Sequence, residues 1–207
     1  MIRLYGFNTQ NTLKALYVLE ESGLDFEFEY VDLAKGEQRS DEFAQKSLMR
    51  KVPLLEHDGE FLFESGAICR YIGNLTEPSV YPVDKMQRAR VDQWMDFFSC
   101  QLGRWLTTIF YETVIKKHFN LGEPDAALVA EGSKFVGQQL KVLNAHLADS
   151  EYLANDVLSI ADLFAFAYVE QCRAIEWSLT DVPNVEAWLN RIESRDSVAS
   201  ARARFPD

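Results

Sequence analysis

The sequence is poor in the residues that most often carry chemistry. It has three cysteines and three histidines in 207 residues. Cys69, Cys100 and Cys172 are far apart and odd in number, with neither a Cys-x-x-Cys pair nor a zinc spacing. They read as reduced, mostly buried small hydrophobes. His57, His118 and His146 each lack the i, i+4 partner that helical metal sites use, so no metal is expected. Long apolar runs are also missing. The richest region, 91–114, is broken by Asp92, Gln93, Asp96, Gln101, Arg104 and Glu112, so nothing reaches the roughly 18 apolar residues that span a bilayer. The sequence opens on a strand pattern without a basic and then apolar leader, which makes a cytoplasmic location the default expectation. Positive charge is in deficit: 21 Lys and Arg against 32 Asp and Glu leave a net charge of -11. Such a chain repels phosphate backbones and anionic membrane surfaces, and neither nucleic acid nor membrane is an expected partner.

What is present is enough apolar material for a sizeable core, at 47% of residues. Residues 1–5, MIRLY, read as a strand, followed by a loop and a helix striped by Leu13, Leu16, Tyr17 and Leu24, which Gly23 stops. FEFEYV at 26–31 alternates with period two, as a strand with one wet face does. SDEF at 40–43 reads as a short capped helix. VPLLEHDGEFLFES at 52–65 reads as a hairpin turning at Asp58 and Gly59. Ser65 is expected to cap a helix carrying Ile68, Tyr71, Ile72 and Leu75. The order βαβ, α, ββα predicts a mixed four-stranded sheet of thioredoxin type over 1–76.

TEPSVYPVDK holds two prolines without a regular period, so a linker is placed at 77–85. From 86 to 207 the pattern is helical throughout. Val91, Trp94, Phe98, Leu102, Trp105, Ile109 and Phe110 recur at three and four, predicting a helix of about thirty residues kinked near Gly103. Pro124 marks the first turn of the next helix. Ser159 to Asp162 forms a capping box, a folding signal. The fold class is thus α/β followed by an all-α bundle.

Candidate chemistry gathers in the first 76 residues. Asn8, Thr9, Gln10, Asn11 and Thr12 crowd short amides and hydroxyls at the start of the first helix. In thioredoxin-like proteins that register holds Cys-x-x-Cys, because a helix N-terminus stabilises a thiolate. Here it reads Thr9-Gln10-Asn11-Thr12, so any thiol must arrive with a ligand. Two readings of Pro53 stand: a cis bond that presents the backbone of Val52 to an extended ligand, or an edge-strand proline in trans. Glu64 and Ser65 fit either a plain helix cap or an adjacent acid and anion site for an α-amino acid end.

KVPLLEHDGEFLFESGAICRYI at 51–72, DEFAQ before it and SIADLFAFA after it resemble, in this order and spacing, the cytosolic glutathione transferases, and the resemblance covers essentially the whole chain. It points to the serine/threonine-type members, such as theta-, phi- and nu-like bacterial ones. It implies a homodimer, glutathione as co-substrate, and conjugation to small hydrophobic electrophiles or peroxides, a detoxification role. By position, Thr9 takes the place of the family serine that hydrogen-bonds the glutathione sulfur, and Asn11 supports that loop. Gln38 and Lys51 match the glycyl end, Val52 ahead of a cis Pro53 matches the cysteinyl backbone, and Glu64 with Ser65 matches the γ-glutamyl end. Phe7, Phe98, Leu102 and Trp105 are the expected electrophile wall. Two departures stand out: threonine for serine restricts χ1, and Arg50 stands where glycine is common. Tyr5, in an LYG context, is a poor match to the tyrosine of tyrosine-type members.

Two other classes are open. A non-catalytic binding or interaction module would keep the fold and lose turnover. A glutathione-dependent disulfide reductase would need a cysteine where Thr9 and Thr12 stand.

Overall fold

The computed structural model describes residues 1–76 and 79–206. The first two residues of the expected linker, Glu77 and Pro78, lie outside the described residues. The chain divides into two compact units, Met1–Tyr81 with Ser194–Asp207, and Pro82–Glu193. Residues 194–207, read from the sequence as the end of the helical domain, thus belong with the first unit. Charge pairing accounts for it: Arg195 donates to Glu21 at 2.6 and 2.8 Å, and Arg204 donates to Glu20 at 2.7 Å.

In the first unit, β1 (Ile2–Gly6) leads to α1 (Gln10–Ser22) and β2 (Phe26–Tyr30), with Gly23 ending α1 in the left-handed region at φ 63°. A 3-10 turn, Glu37–Arg39, precedes α2 (Asp41–Lys46), where the Ser40 hydroxyl accepts from the Phe43 amide as the sequence predicts. Then come β3 (Leu54–His57), β4 (Glu60–Phe63) and α3 (Ser65–Gly73). The turn between β3 and β4 has φ 52° at Asp58 and 88° at Gly59, the positive values a tight hairpin needs. The sheet order is β2-β1-β3-β4, with β1 parallel to β2 and antiparallel to β3, and β4 antiparallel to β3. One expectation changes: the cap of α3 is Glu64, and Ser65 is its first helical residue.

The register decides where chemistry can gather. Tyr5 pairs with Leu54, and Leu54 with Phe63. One step further along the same edge come Gly6, Pro53 and Glu64. The loop into α1, the Val52-Pro53 step and the corner into α3 therefore leave the sheet at the same end.

The second unit is helical. Lys85–Phe97 (α4), Gly103–Phe110 (α5) and Lys116–Phe119 (α6) run on through two π-helical stretches, Phe98–Leu102 and Tyr111–Ile115. This is the long helix the sequence predicts, with the first of its two irregular stretches running up to Gly103. Next come α7 (Ala126–His146), α8 (Ile160–Val169), α9 (Gln171–Ala174) and α10 (Pro183–Glu193). The short α11 (Asp196–Arg202) belongs to the first unit. Asp125, not Pro124, opens α7, its carboxylate accepting from the Ala127 and Leu128 amides. The capping box of α8 is present, with Ser159 and Asp162 in reciprocal bonds. Among the described residues, no helix is long and apolar enough to cross a membrane.

Candidate active site

Thr9 is the N-cap of α1, with extended backbone at φ -132° and ψ 152°. Its amide is tied to the Phe7 carbonyl at 2.6 Å and its carbonyl accepts from the Leu13 amide at 3.0 Å, so its side chain is held in place. The Thr9 hydroxyl accepts from the Thr12 amide at 3.4 Å and lies 3.1 Å from the Thr12 hydroxyl. Thr12, which is fully buried, also accepts from the Phe7 amide at 3.4 Å. Thr9 itself is half-buried and accessible. The added methyl has not turned the hydroxyl away from the helix start.

Asn11, in the same turn, is exposed, and its Oδ1 accepts from Lys14 Nζ at 2.9 Å. Lys14 is the residue here that sequence reasoning missed. It is 1% exposed, and burial lowers its pKa to about 7 against the opposing charges of Cys69 and Glu64. The available signal was its place between Asn11 and Tyr17 at spacings of three, in the apolar stripe of α1.

Across the sheet edge, the Val52-Pro53 bond is cis, which resolves the two readings of Pro53. Val52 packs against the cluster of Tyr5, Val31, Phe43 and Leu54. Lys51 is exposed, and its carbonyl accepts from the Ser47 hydroxyl at 3.5 Å. Arg50 occupies the left-handed region at φ 50°, which explains why glycine suits that position. Its guanidinium reaches the Arg39 carbonyl at 3.5 Å, joining this loop to the turn that carries Gln38. The Gln38 side-chain carbonyl oxygen is buried without a hydrogen-bond partner. Glu64 has φ 71° and ψ 112° and is exposed. A positive φ on such a residue costs on the order of 1 to 3 kcal/mol and calls for a reason. Here it turns the chain sharply from β4 into α3, leaving the carboxylate beside the unpaired amides at the start of that helix.

Two members of the expected electrophile wall do not survive. Phe98 and Leu102 are fully buried, Phe98 between Phe97 and Tyr168, so they are core of the helical unit and present no wall to a small molecule. The strict three-four spacing that suggested them is the spacing of a core face. Trp105 is half-buried but stacks on Phe135 at 5.0 Å. Phe7 is half-buried beside Tyr30, with ring centroids 5.3 Å apart. Tyr5 is ruled out as a thiol donor: its hydroxyl donates to Glu56 at 2.6 Å, and burial together with that bond pushes its pKa up. Cys69 and Cys172 are buried, as expected of most of the cysteines, and burial drives both thiols up to about 12; Cys100 is exposed. Among the described residues no cluster of His, Cys, Asp or Glu is arranged to hold a metal ion.

Residues 1–74 match the family model of the glutathione S-transferase N-terminal domain, and residues 104–196 match that of the C-terminal domain. The chain is 30% identical over 209 residues to glutathione S-transferase hmp2 of Hypomyces subiculosus, covering 98% of each. It is 30% identical over 213 residues to glutathione S-transferase F10 of Arabidopsis thaliana, covering 99% of this chain and 98% of that one. Among solved structures, glutathione S-transferase I from mais in complex with an atrazine glutathione conjugate superposes with a TM-score of 0.89. Identity there is 30%, covering 98% of this chain and 96% of that chain.

Proposed function

The chain belongs to the glutathione S-transferase family, and on that premise we propose that it joins the sulfur of glutathione to small hydrophobic electrophiles, with Thr9 as the group that activates the thiol. The observation that carries this reading is the Thr9 hydroxyl, held at the N-cap of α1 at the sheet end where Val52, Pro53 and Glu64 also emerge. The relative from mais, whose structure holds a glutathione conjugate, supports glutathione as co-substrate.

In this reading the Val52 backbone exchanges hydrogen bonds with the cysteinyl part of glutathione ahead of Pro53. Lys51 pairs with the glycyl carboxylate, helped by Gln38. Glu64 takes the γ-glutamyl ammonium, while Ser65 and the α3 amides take its carboxylate. A free thiol has a pKa of about 8.5, and lowering it by two units needs about 2.7 kcal/mol of preference for the thiolate. A hydrogen bond to a charged group, about 1.5 to 3 kcal/mol, with a helix N-terminus, about 0.3 to 1 kcal/mol, supplies that. The thiol proton leaves to solvent. The thiolate then attacks the electrophilic carbon, a carbon–sulfur bond forms, and the leaving group departs with its electron pair. In this reading the half-buried Phe7 faces the electrophile. A peroxide as acceptor would draw on the same thiolate.

The finer placement, a serine/threonine-type member of the theta-, phi- or nu-like bacterial kind, rests on the hydroxyl at position 9. Homodimerisation and a cytoplasmic location follow from what is typical of the family, and light scattering with size exclusion tests the first.

The deciding experiment is the ultraviolet thiolate absorbance of glutathione titrated with protein from pH 5 to 9, in wild type and Thr9→Ala, alongside turnover of 1-chloro-2,4-dinitrobenzene. Ionisation of the bound thiol below pH 7 in wild type only, with turnover, bears the reading out. Glutathione binding without shifted ionisation or turnover favours the non-catalytic module instead.

A further inference from the structure

Lys14 is a charged side chain in a place that suits an apolar one. It is 1% exposed, in the helix that packs against α3, and its own carbonyl accepts from Cys69 of α3 at 3.5 Å. Burying an ammonium is costly unless its donors are used, and lysine forms helix no better than leucine or methionine. Packing alone does not account for it. Toward the helix start, the ammonium donates to Asn11 Oδ1 at 2.9 Å. The protonated ammonium only donates, so below about pH 7, where Lys14 carries its proton, the orientation of the Asn11 amide is chemically forced: oxygen toward Lys14, and the two N–H donors of Nδ2 away from it. Asn11 stands two residues after Thr9, in the first turn of α1.

We propose that Lys14 is a positioning residue for the glutathione site, locking the Asn11 amide with its N–H donors outward beside Thr9, so that a bound thiolate meets two donors. The proposal rests on the glutathione reading above. A free asparagine amide would sample both orientations and present a carbonyl oxygen, repulsive to sulfur anion, part of the time. The buried ammonium removes that orientation.

The test uses the full chain with Lys14→Met, Asn11→Ala, Asn11→Asp and the Asn11→Ala/Lys14→Met double variant. The readouts are the thiolate titration of bound glutathione, kcat and KM for 1-chloro-2,4-dinitrobenzene, and the Kd of S-methylglutathione. Asn11→Asp keeps a partner for Lys14 but has no N–H, so it separates support of the fold from donation. Each single variant is expected to raise the bound thiol pKa by about one unit and lower kcat about tenfold at pH 6.5. KM for the aryl halide stays unchanged, and S-methylglutathione still binds. The double variant is expected to raise the thiol pKa no further than Asn11→Ala does, because the effect of Lys14 on the thiol runs through Asn11. An unchanged thiol pKa in Asn11→Asp, or additive effects in the double variant, overturns the proposal while leaving the glutathione reading intact. Should Lys14→Met fail to fold, the Asn11 variants decide, since that residue is exposed. A wild type that neither binds glutathione nor shifts its thiol overturns the glutathione reading and this proposal together.

Discussion

The hydroxyls of Thr9 and Thr12 lie 3.1 Å apart, and the Phe7 amide donates to the second of them at 3.4 Å. An amide can only donate, so Thr12 Oγ1 accepts there and still has its own proton to give to Thr9. Thr9 accepts from the Thr12 amide, and when a bound sulfur takes the Thr9 proton, the Thr12 hydroxyl is placed to donate to Thr9 in turn. Each bond in such a line polarises the next, which makes Thr9 a better donor than an isolated threonine.

Removing either hydroxyl therefore raises the pKa of the bound thiol, but unequally. Thr9→Val is expected to lower kcat/KM at pH 6.5 by roughly 10- to 100-fold, the worth of one hydrogen bond to a charged group. Thr12→Val, which leaves Thr9 in place, should cost less, and Thr12→Ser should restore wild-type behaviour. Equal rates in wild type and Thr9→Val across pH 6 to 8 would remove Thr9 from the chemistry.

Asp162 concentrates the stability of the helical unit. It is fully buried and accepts from the Ser159 amide and hydroxyl at 3.0 Å, from the Leu153 amide at 2.9 Å and from Trp188 Nε1 at 3.0 Å. Burial pushes its pKa up while these four donors pull against that. Asp162→Ala orphans all four, and a loss of about 3 to 5 kcal/mol in urea unfolding is expected. Trp188→Phe removes one donor and should cost about 1 to 3 kcal/mol. A loss under 1 kcal/mol for Asp162→Ala would mean that water replaces the carboxylate.

At Gly103 two effects compete. Alanine is better than glycine in a helix by about 1 kcal/mol. Yet a Cβ there would stand 2.4 Å from the Phe98 carbonyl oxygen and 2.5 Å from the Tyr168 ring. Overpacking of this kind costs about 1 to 3 kcal/mol, and the backbone oxygen cannot simply swing aside. Gly103→Ala is expected to lower the melting temperature; a rise would show that the π-helical stretch before it relaxes.

The sheet was legible because its signals are local. Period two in FEFEYV, the Asp58-Gly59 turn and the Gly23 stop each act within a few residues, and each is where the spacing predicts. The crowd of short amides and hydroxyls at the start of α1 was legible for the same reason, and the structure picks Thr9 out of it as the cap. What failed depended on partners far along the chain. Phe98 and Leu102 share the spacing of a pocket wall and of a core face, and only packing tells them apart. Residues 194–207 look like one more amphipathic helix, and their attachment to Glu20 and Glu21 is invisible until the fold brings those charges together. Lys14 reads as a surface lysine unless the helix face it occupies is followed through.

That burial of Lys14 carries a pH dependence of its own. Burial holds its pKa at about 7, whereas an unfolded lysine has one of about 10.4. Between those values the unfolded chain binds more protons than the folded one, so stability rises with pH, by up to about 1.4 kcal/mol per unit from this group. Below pH 7 both forms carry the proton and the whole cost of burying it is present. Above about pH 10.4 both are neutral and the cost is gone. Lys14→Met has no such group. In urea unfolding at pH 6, 7.5 and 9, the stability of Lys14→Met relative to wild type should be greatest at pH 6 and decline steadily toward pH 9. The lost bond to Asn11, worth about 1 kcal/mol, offsets the comparison by a near-constant amount without changing its slope. A difference that stays flat across that range would mean that the ammonium reaches water in the folded protein, and the rigid hold on Asn11 would go with it.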